Sequence, residues 1–331
     1  MSAPLLELDG VTTRLRTPAG EWNVLEDIGF VVDRGEIVGL VGESGSGKSM
    51  TARTILRLLP EGARVTGVVD LDDVDLLTLS PRALRATRAR RLGMIFQDPR
   101  AHIDPLWSIA DYLSEGLVVN GGLGRSAALR TALRLLHEVG IEDGARVLRS
   151  YPHQLSGGML QRVMIAAAIA LEPDLIIADE ATTALDVTIQ REIISIFAEL
   201  RRERGLGMIF ITHDLDLASA LCDRVLVMYA GRIVERQPTS ALFAEPLHPY
   251  TSALLAARPR IEDREDRLPV IPGRPVQPFE SPSGCPFRPR CSCTVDRCLE
   301  GRPPLRLIRP EGAAACVRSE ELTEKGMLRH V

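Results

Sequence analysis

Eight residues, Gly42, Glu43, Ser44, Gly45, Ser46, Gly47, Lys48 and Ser49, stand between an apolar run at 37–41 and a stretch of helical periodicity at 49–59. This G-x-x-x-x-G-K-[ST] pattern, placed after a strand and before a helix, restricts the chain to a parallel α/β layer in which a glycine-rich turn opens a helix. Glycines let backbone N–H groups wrap a phosphate, and the helix N-terminus presents its positive end to the same anion. Lys48 is expected to reach the β and γ phosphates of a nucleotide, and Ser49 to ligate Mg2+. Only Lys48 and Lys325 are lysines among 40 basic residues. At position 48 a compact ammonium is required, which the planar guanidinium of arginine does not replace. The plainer reading of the eight residues is a glycine-rich turn with an exposed lysine.

A second strand, 175–178, runs directly into Asp179 and Glu180. Parallel sheets carry their functional side chains at the carboxyl ends of strands. Asp179 is suited to hold Mg2+ and Glu180 to polarise an attacking water. Taken alone, the two acids could equally cap a helix from 187 onward. Together with the glycine-rich loop, they read as the second half of a nucleotide site.

Around these anchors the chain alternates apolar runs with amphipathic stretches up to about residue 245. Strands are expected at 37–41, 94–97, 175–178, 208–212 and 225–228, and helices at 49–59, 127–139, 158–171 and 187–204. Short alternating runs in the first 35 residues predict a small antiparallel sheet, and 98–160 reads as a mostly helical insertion. From Pro259 onward the texture changes: 11 of the 22 prolines and five of the six cysteines fall there, which predicts a separate loop-rich appendage. The expected fold is α/β, a P-loop NTPase core with an N-terminal antiparallel β-subdomain, an inserted α-helical subdomain and a cysteine-containing C-terminal extension. The expected division is 1–245, with 98–160 inserted, and 246–331.

Composition removes other classes. A net charge of -4 creates no field for nucleic acid, and 4% aromatic residues form no evident base-stacking platform. The N-terminus has neither the basic start nor the apolar core of a secretory signal. The longest apolar run, 163–171, is half of the roughly 20 residues a spanning helix needs. The protein is expected in the cytoplasm, meeting any membrane from the side.

Leu155, Ser156, Gly157, Gly158 and Met159, followed by Gln161 and Arg162, make the sequence resemble the ATP-binding-cassette ATPases, whose signature motif this is. Phe96, Gln97, Asp98 and Pro99 resemble the Q-loop of that family, Ala184, Leu185 and Asp186 its D-loop, and Thr212, His213 and Asp214 its switch-histidine loop. The resemblance covers about residues 5–240. It implies that Gln97 senses Mg2+ and the water, that His213 contacts the γ-phosphate, and that Ser156, Gly157, Gly158 and Met159 meet an ATP held by the opposite subunit. Trp22, shortly before the strand that leads to the phosphate loop, is a candidate for stacking on adenine; ordinary surface packing is the alternative. Ala181 stands where the family often has Pro, a change that removes neither carboxylate nor backbone donor.

Within that family, the stretches 151–162 and 179–190 resemble the oligopeptide, dipeptide and nickel importer ATPases. So do His248, Pro249, Tyr250 and Thr251, then Ile271, Pro272 and Gly273, and the run from Gly284 to Cys291. Residues 101–105 depart from the group's Ser-Leu-Asn-Pro, in a segment that the resemblance turns towards membrane subunits. Cys285, Cys291, Cys298 and Cys316 follow C-x5-C-x6-C-x17-C, with Cys293 additional and Cys222 far away. A cytoplasmic location argues against disulfides. The resemblance implies a [4Fe-4S] cluster; a structural Zn2+ or unliganded thiols are the alternatives. The implied function is an ATP-hydrolysing subunit on the cytoplasmic face of the membrane, taking up di- or oligopeptides. Its implied partners are two transmembrane permeases, a second cassette that is identical or related, and indirectly an extracytoplasmic binding protein. Import of nickel or another small solute, an exporter, and a soluble nucleic-acid-linked ATPase are the competing readings. The neutral charge and the lack of a long coiled coil or second cassette weigh against the last.

Overall fold

The computed structural model describes residues 3–17, 20–183, 185–258 and 270–329. Their strands are β1 (Leu6–Thr17), β2 (Gly20–Val32), β3 (Ile37–Val41), β4 (Arg64–Leu71), β5 (Leu92–Ile95), β6 (Leu175–Asp179), β7 (Gly207–Thr212), β8 (Arg224–Tyr229), β9 (Arg232–Pro238), β10 (Arg306–Arg309) and β11 (Gly312–Ala314). The chain divides into two units.

One unit comprises the described residues of Met1–Leu5, Val32–Glu36 and Thr78–Ile211. Its strands lie in the order β7-β6-β5 and are parallel, with Asp179 opposite Ile211 and Ile95 opposite Ala178. Every residue of β6 is buried, which is why Leu-Ile-Ile-Ala reads as a continuous apolar run rather than an alternating one. The expected strand 94–97 is shifted to Leu92–Ile95. Phe96 leaves the ladder and its N–H donates to Met164 Sδ at 3.1 Å, while Asp98 caps the one-turn helix Pro99–His102, so Gln97 lies past the strand end.

The insertion is helical as expected: Ile109–Val119, Arg125–Glu138 and Gly144–Arg149 precede the helix Gly157–Ile169. Ser108, Asp143 and Ser156 supply the side-chain N-caps that start three of these four helices. The helix Val187–Arg204 has the expected bounds. It buries Ile193, Ile196, Phe197 and Leu200 at three- and four-residue spacing and stops at Gly205 with φ 60°.

The other unit comprises Leu6–Val31, Ile37–Leu77 and the described residues of Thr212–Val331. An N-terminal sheet has the order β2-β1-β4, with β1 and β4 antiparallel. A second run has the order β10-β11-β9-β8-β3, in which β3 and β8 are parallel and the remaining pairs antiparallel. The tail is therefore more than loops, since β10 and β11 extend this sheet from β9. The helix after the phosphate loop, expected over 49–59, runs only over Lys48–Ile55. Arg57 takes a left-handed φ of 50° and ends it.

Glu235, wholly buried on β9, fastens the segment after the sheet. Its carboxylate accepts the N–H groups of Leu247 and His248 at 2.8 Å each and the Gln237 side-chain amide at 2.7 Å. His248 Nδ1 then accepts the Tyr250 N–H at 3.0 Å, capping the helix Pro249–Ala256 with Pro249 in its first turn.

Candidate functional site

The phosphate loop leaves β3 at Val41. Gly42 has φ 150°, and a Cβ there would stand 2.3 Å from the Met228 carbonyl oxygen, so no other residue fits. Gly47 leads into the helix Lys48–Ile55, which has no side-chain cap. A helix N-terminus of this kind presents its positive end to an anion. Lys48 is buried, and its Nζ donates to the carbonyls of Gly42 at 2.7 Å and Glu43 at 3.1 Å, drawing the loop around the ammonium. Ser46 Oγ is buried with no hydrogen-bond partner among the described residues, as a loop shaped for a missing ligand would leave it. Ser44 and Gly45 are exposed, and Ser49 is half-buried on the first turn.

In the other unit, β6 delivers Asp179, buried at its last position, and then Glu180. Glu180 has φ 49°, a left-handed conformation that a non-glycine residue adopts at a cost of order 1–3 kcal/mol. Its N–H donates to Ile211 O at 3.0 Å. Its carboxylate accepts the Gln97 side-chain amide at 2.8 Å and the Thr183 hydroxyl at 3.3 Å. The fold thus joins two of the expected catalytic side chains, Gln97 and Glu180, from positions 83 residues apart. The helix-cap alternative for the two acids fails. Asp186 is the cap of Val187–Arg204, accepting from Thr188 N at 3.1 Å and Ile189 N at 3.0 Å. Ala184, the first residue of the expected D-loop, lies outside the described residues.

Ser156 caps the helix Gly157–Ile169 through the Met159 N–H at 3.3 Å. Ser156 is exposed and Gly157, Gly158 and Met159 are half-buried. A Cβ on Gly158 would stand 2.9 Å from Ile189 Cγ2, so this glycine lets the two helix starts approach closely. His213 follows β7, exposed, just before Asp214 caps the helix Leu215–Leu221. Trp22 lies on β2, 38% exposed, with its ring centroid 6.4 Å from that of Phe279.

Five thiols, Cys285, Cys291, Cys293, Cys298 and Cys316, line one small cavity together with His248. Burial pushes Cys285 up to about 11 and Cys291 up to about 12, and raises Cys316 as well. By donor chemistry the set suits a soft metal or an iron–sulfur cluster, whose positive charge would offset that burial and favour the thiolates. No three His, Cys, Asp or Glu among the described residues are placed as a ready coordination sphere.

Two contacts to the phosphate loop were not foreseen. The Tyr250 hydroxyl accepts the Glu43 N–H at 2.9 Å, and Arg290 forms a two-point ion pair with the Glu43 carboxylate. Tyr250 and Arg290 lie in the C-terminal stretches 248–251 and 284–291, yet no local signal links them to a loop more than 200 residues upstream.

Residues 25–183 match the ABC transporter family, and 234–298 match the oligopeptide/dipeptide transporter C-terminal region. A putative peptide import ATP-binding protein of Brucella melitensis is 43% identical over 96% of this chain and 98% of its own length. The chain belongs to the ABC transporter ATPases. A putative peptide import ATP-binding protein of Brucella abortus is 45% identical to this ABC ATPase over 92% of both chains. Among solved structures, a dimeric ATP-binding cassette in a post-hydrolysis state, bound to ADP and Pi, aligns at TM-score 0.64 and 28% identity over 71% of this chain and 98% of its own. A Clostridium perfringens cassette, part of the ABC transporter complex cbiONQ, aligns at TM-score 0.63 and 28% identity over 74% and 92%. The ABC ATPase carries no helix among its described residues that is long and apolar enough to cross a membrane.

Proposed function

We propose that this ABC ATPase drives the uptake of di- or oligopeptides from the cytoplasmic face of the membrane. The observation that carries the reading is the near full-length likeness to peptide import ATP-binding proteins, together with the oligopeptide/dipeptide C-terminal region over 234–298. The working assembly is two cassettes, identical or related, on two permease subunits served by an extracytoplasmic binding protein. The functional division is a cassette over 1–245, its helical insertion over 98–160, and an extension over 246–331.

MgATP is the substrate. Gly42, Glu43, Ser44, Gly45, Ser46, Gly47, Lys48 and Ser49 cradle its phosphates, and Trp22 stacks on the adenine. Ser49, Gln97 and Asp179 hold Mg2+, while Glu180, steered by Gln97, polarises the water and His213 contacts the γ-phosphate. Ser156, Gly157, Gly158 and Met159 close on the nucleotide of the partner cassette, with Asp186 at the junction. The uncapped helix after the loop and the Gln97–Glu180 hydrogen bond support these roles.

Cys285, Cys291, Cys298 and Cys316 hold a [4Fe-4S] cluster, with Zn2+ the alternative metal; their shared cavity supports this. Such a group supplies four bonds that staple the surrounding loops. Iron, sulfide and zinc analysis of anaerobically purified protein tests it. Iron and sulfide lost on Cys→Ser replacement of the four is expected, and protein free of all three overturns it.

The transport reading is tested by affinity capture of the tagged chain from detergent-solubilised membranes. Two multi-span proteins should accompany it. Recovery from the soluble fraction with ribosomal or nucleic-acid partners would overturn transport and leave the ATPase intact.

A further inference from the structure

We infer that Tyr250 and Arg290 are positioning residues of the phosphate loop, acting through Glu43. Both come from the C-terminal region, and the inference rests on the loop being the ATP site.

Glu43 is the second residue of the loop and is fixed at both its backbone and its side chain. Its carbonyl accepts Lys48 Nζ at 3.1 Å and the Ser46 N–H at 3.2 Å, so the shape of the loop passes through it. Its N–H donates to the Tyr250 hydroxyl at 2.9 Å. Its carboxylate faces the Arg290 guanidinium fork-on-fork, Oε2 accepting from Nη1 at 2.6 Å and Oε1 from Nη2 at 3.0 Å.

Neither partner is a chance surface contact. The Arg290 side chain is 4% exposed, and its Nε donates to the Pro272 carbonyl at 2.8 Å, which fixes the plane of the fork. The Tyr250 ring is wholly buried, packed between Tyr229 at 4.7 Å and Phe287 at 5.2 Å between ring centroids. Two-point arginine–carboxylate pairs set direction as well as energy, and one that is this buried cannot be traded for water without loss. The same segment reaches the loop again at Gly45, where a Cβ would stand 2.5 Å from the Gln277 amide nitrogen.

A phosphate loop works by holding its N–H groups and its lysine in place before the anion arrives, so that binding does not have to supply the ordering. Glu43 is one of the two carbonyl anchors of Lys48. Releasing Glu43 should therefore loosen the ammonium and weaken ATP binding, while leaving the water-activating residues Gln97 and Glu180 unchanged.

The experiment measures the Kd of a fluorescent ATP analogue with Mg2+, and KM and kcat for ATP, on the full chain. Arg290→Met should raise Kd and KM about tenfold with kcat within about twofold, and Glu43→Gln should raise Kd and KM about tenfold. The double variant should also stand near tenfold rather than hundredfold, because both changes remove one interaction. Arg290→Lys should recover only part of the loss, since a point charge cannot replace the fork. Tyr250→Phe deletes one oxygen, keeps the packed ring, and should raise Kd about threefold; it keeps the test decisive if Arg290→Met does not fold. Values for all variants within twofold of wild type, or a double variant that multiplies the single effects, would overturn the inference. Lys48→Ala separates the two levels: it should abolish binding, and unaltered binding would remove the loop as the ATP site and this inference with it.

Discussion

The Gln97 side-chain amide donates to the Glu180 carboxylate at 2.8 Å, although Gln97 follows one strand and Glu180 another. The bond fixes the orientation of the Glu180 side chain, with the Thr183 hydroxyl at 3.3 Å as a second donor on the same oxygen. An oriented carboxylate beyond the end of a parallel strand is what activation of a water requires.

Glu180→Gln should keep the shape and lose the basic group. Nucleotide affinity is expected within about twofold of wild type, with kcat lowered by about a hundredfold or more. Equilibrium binding and phosphate release measured on the same preparation check this. Wild-type turnover would remove Glu180 as the base.

Gly42→Ala puts a methyl group 2.3 Å from the Met228 carbonyl oxygen at a φ that disfavours any side chain. Loss of about 2 kcal/mol or more of stability and loss of ATP binding are expected together. Denaturant unfolding and nucleotide titration read the two effects separately.

Asp186 satisfies two N–H groups at the start of the 18-residue helix Val187–Arg204. Asp186→Ala should cost about 1 kcal/mol in urea unfolding, and Asp186→Asn only a few tenths, since asparagine is an equally good cap. ATPase activity that falls equally in both variants would locate the function of Asp186 in its charge rather than in the cap.

Burial pushes Glu235 up to about 7 from an ordinary 4.5, against the donors that surround it. A carboxyl group that holds its proton more tightly when folded adds stability below pH 4.5, and that contribution is lost as pH rises through about 7. The span corresponds to roughly 3 kcal/mol. Thermal unfolding between pH 5 and 8 should show this downward component, and Glu235→Gln should flatten it. An unchanged pH slope in the variant would exclude Glu235 as its source.

The chain's local chemistry determined its own engine. Gly42 to Ser49 between a strand and a helix, Asp179 and Glu180 at a strand end, and Ser156 before two glycines could be read in order, because each depends on neighbours within about ten residues. The same locality fixed the helix Val187–Arg204, from the Asp186 cap to Gly205. Tertiary structure decided what depends on distant partners. The β5 strand stops at Ile95 because Asp98 and Pro99 start a turn, and this releases Gln97 towards Glu180. The tail adds β10 and β11 to the sheet beside β9, where paired backbone groups outweigh a proline-rich composition that predicts loops. Arg290 meets Glu43 across 247 residues. Such a contact leaves no periodicity or spacing in the sequence, since it arises only when two remote segments are buried against each other.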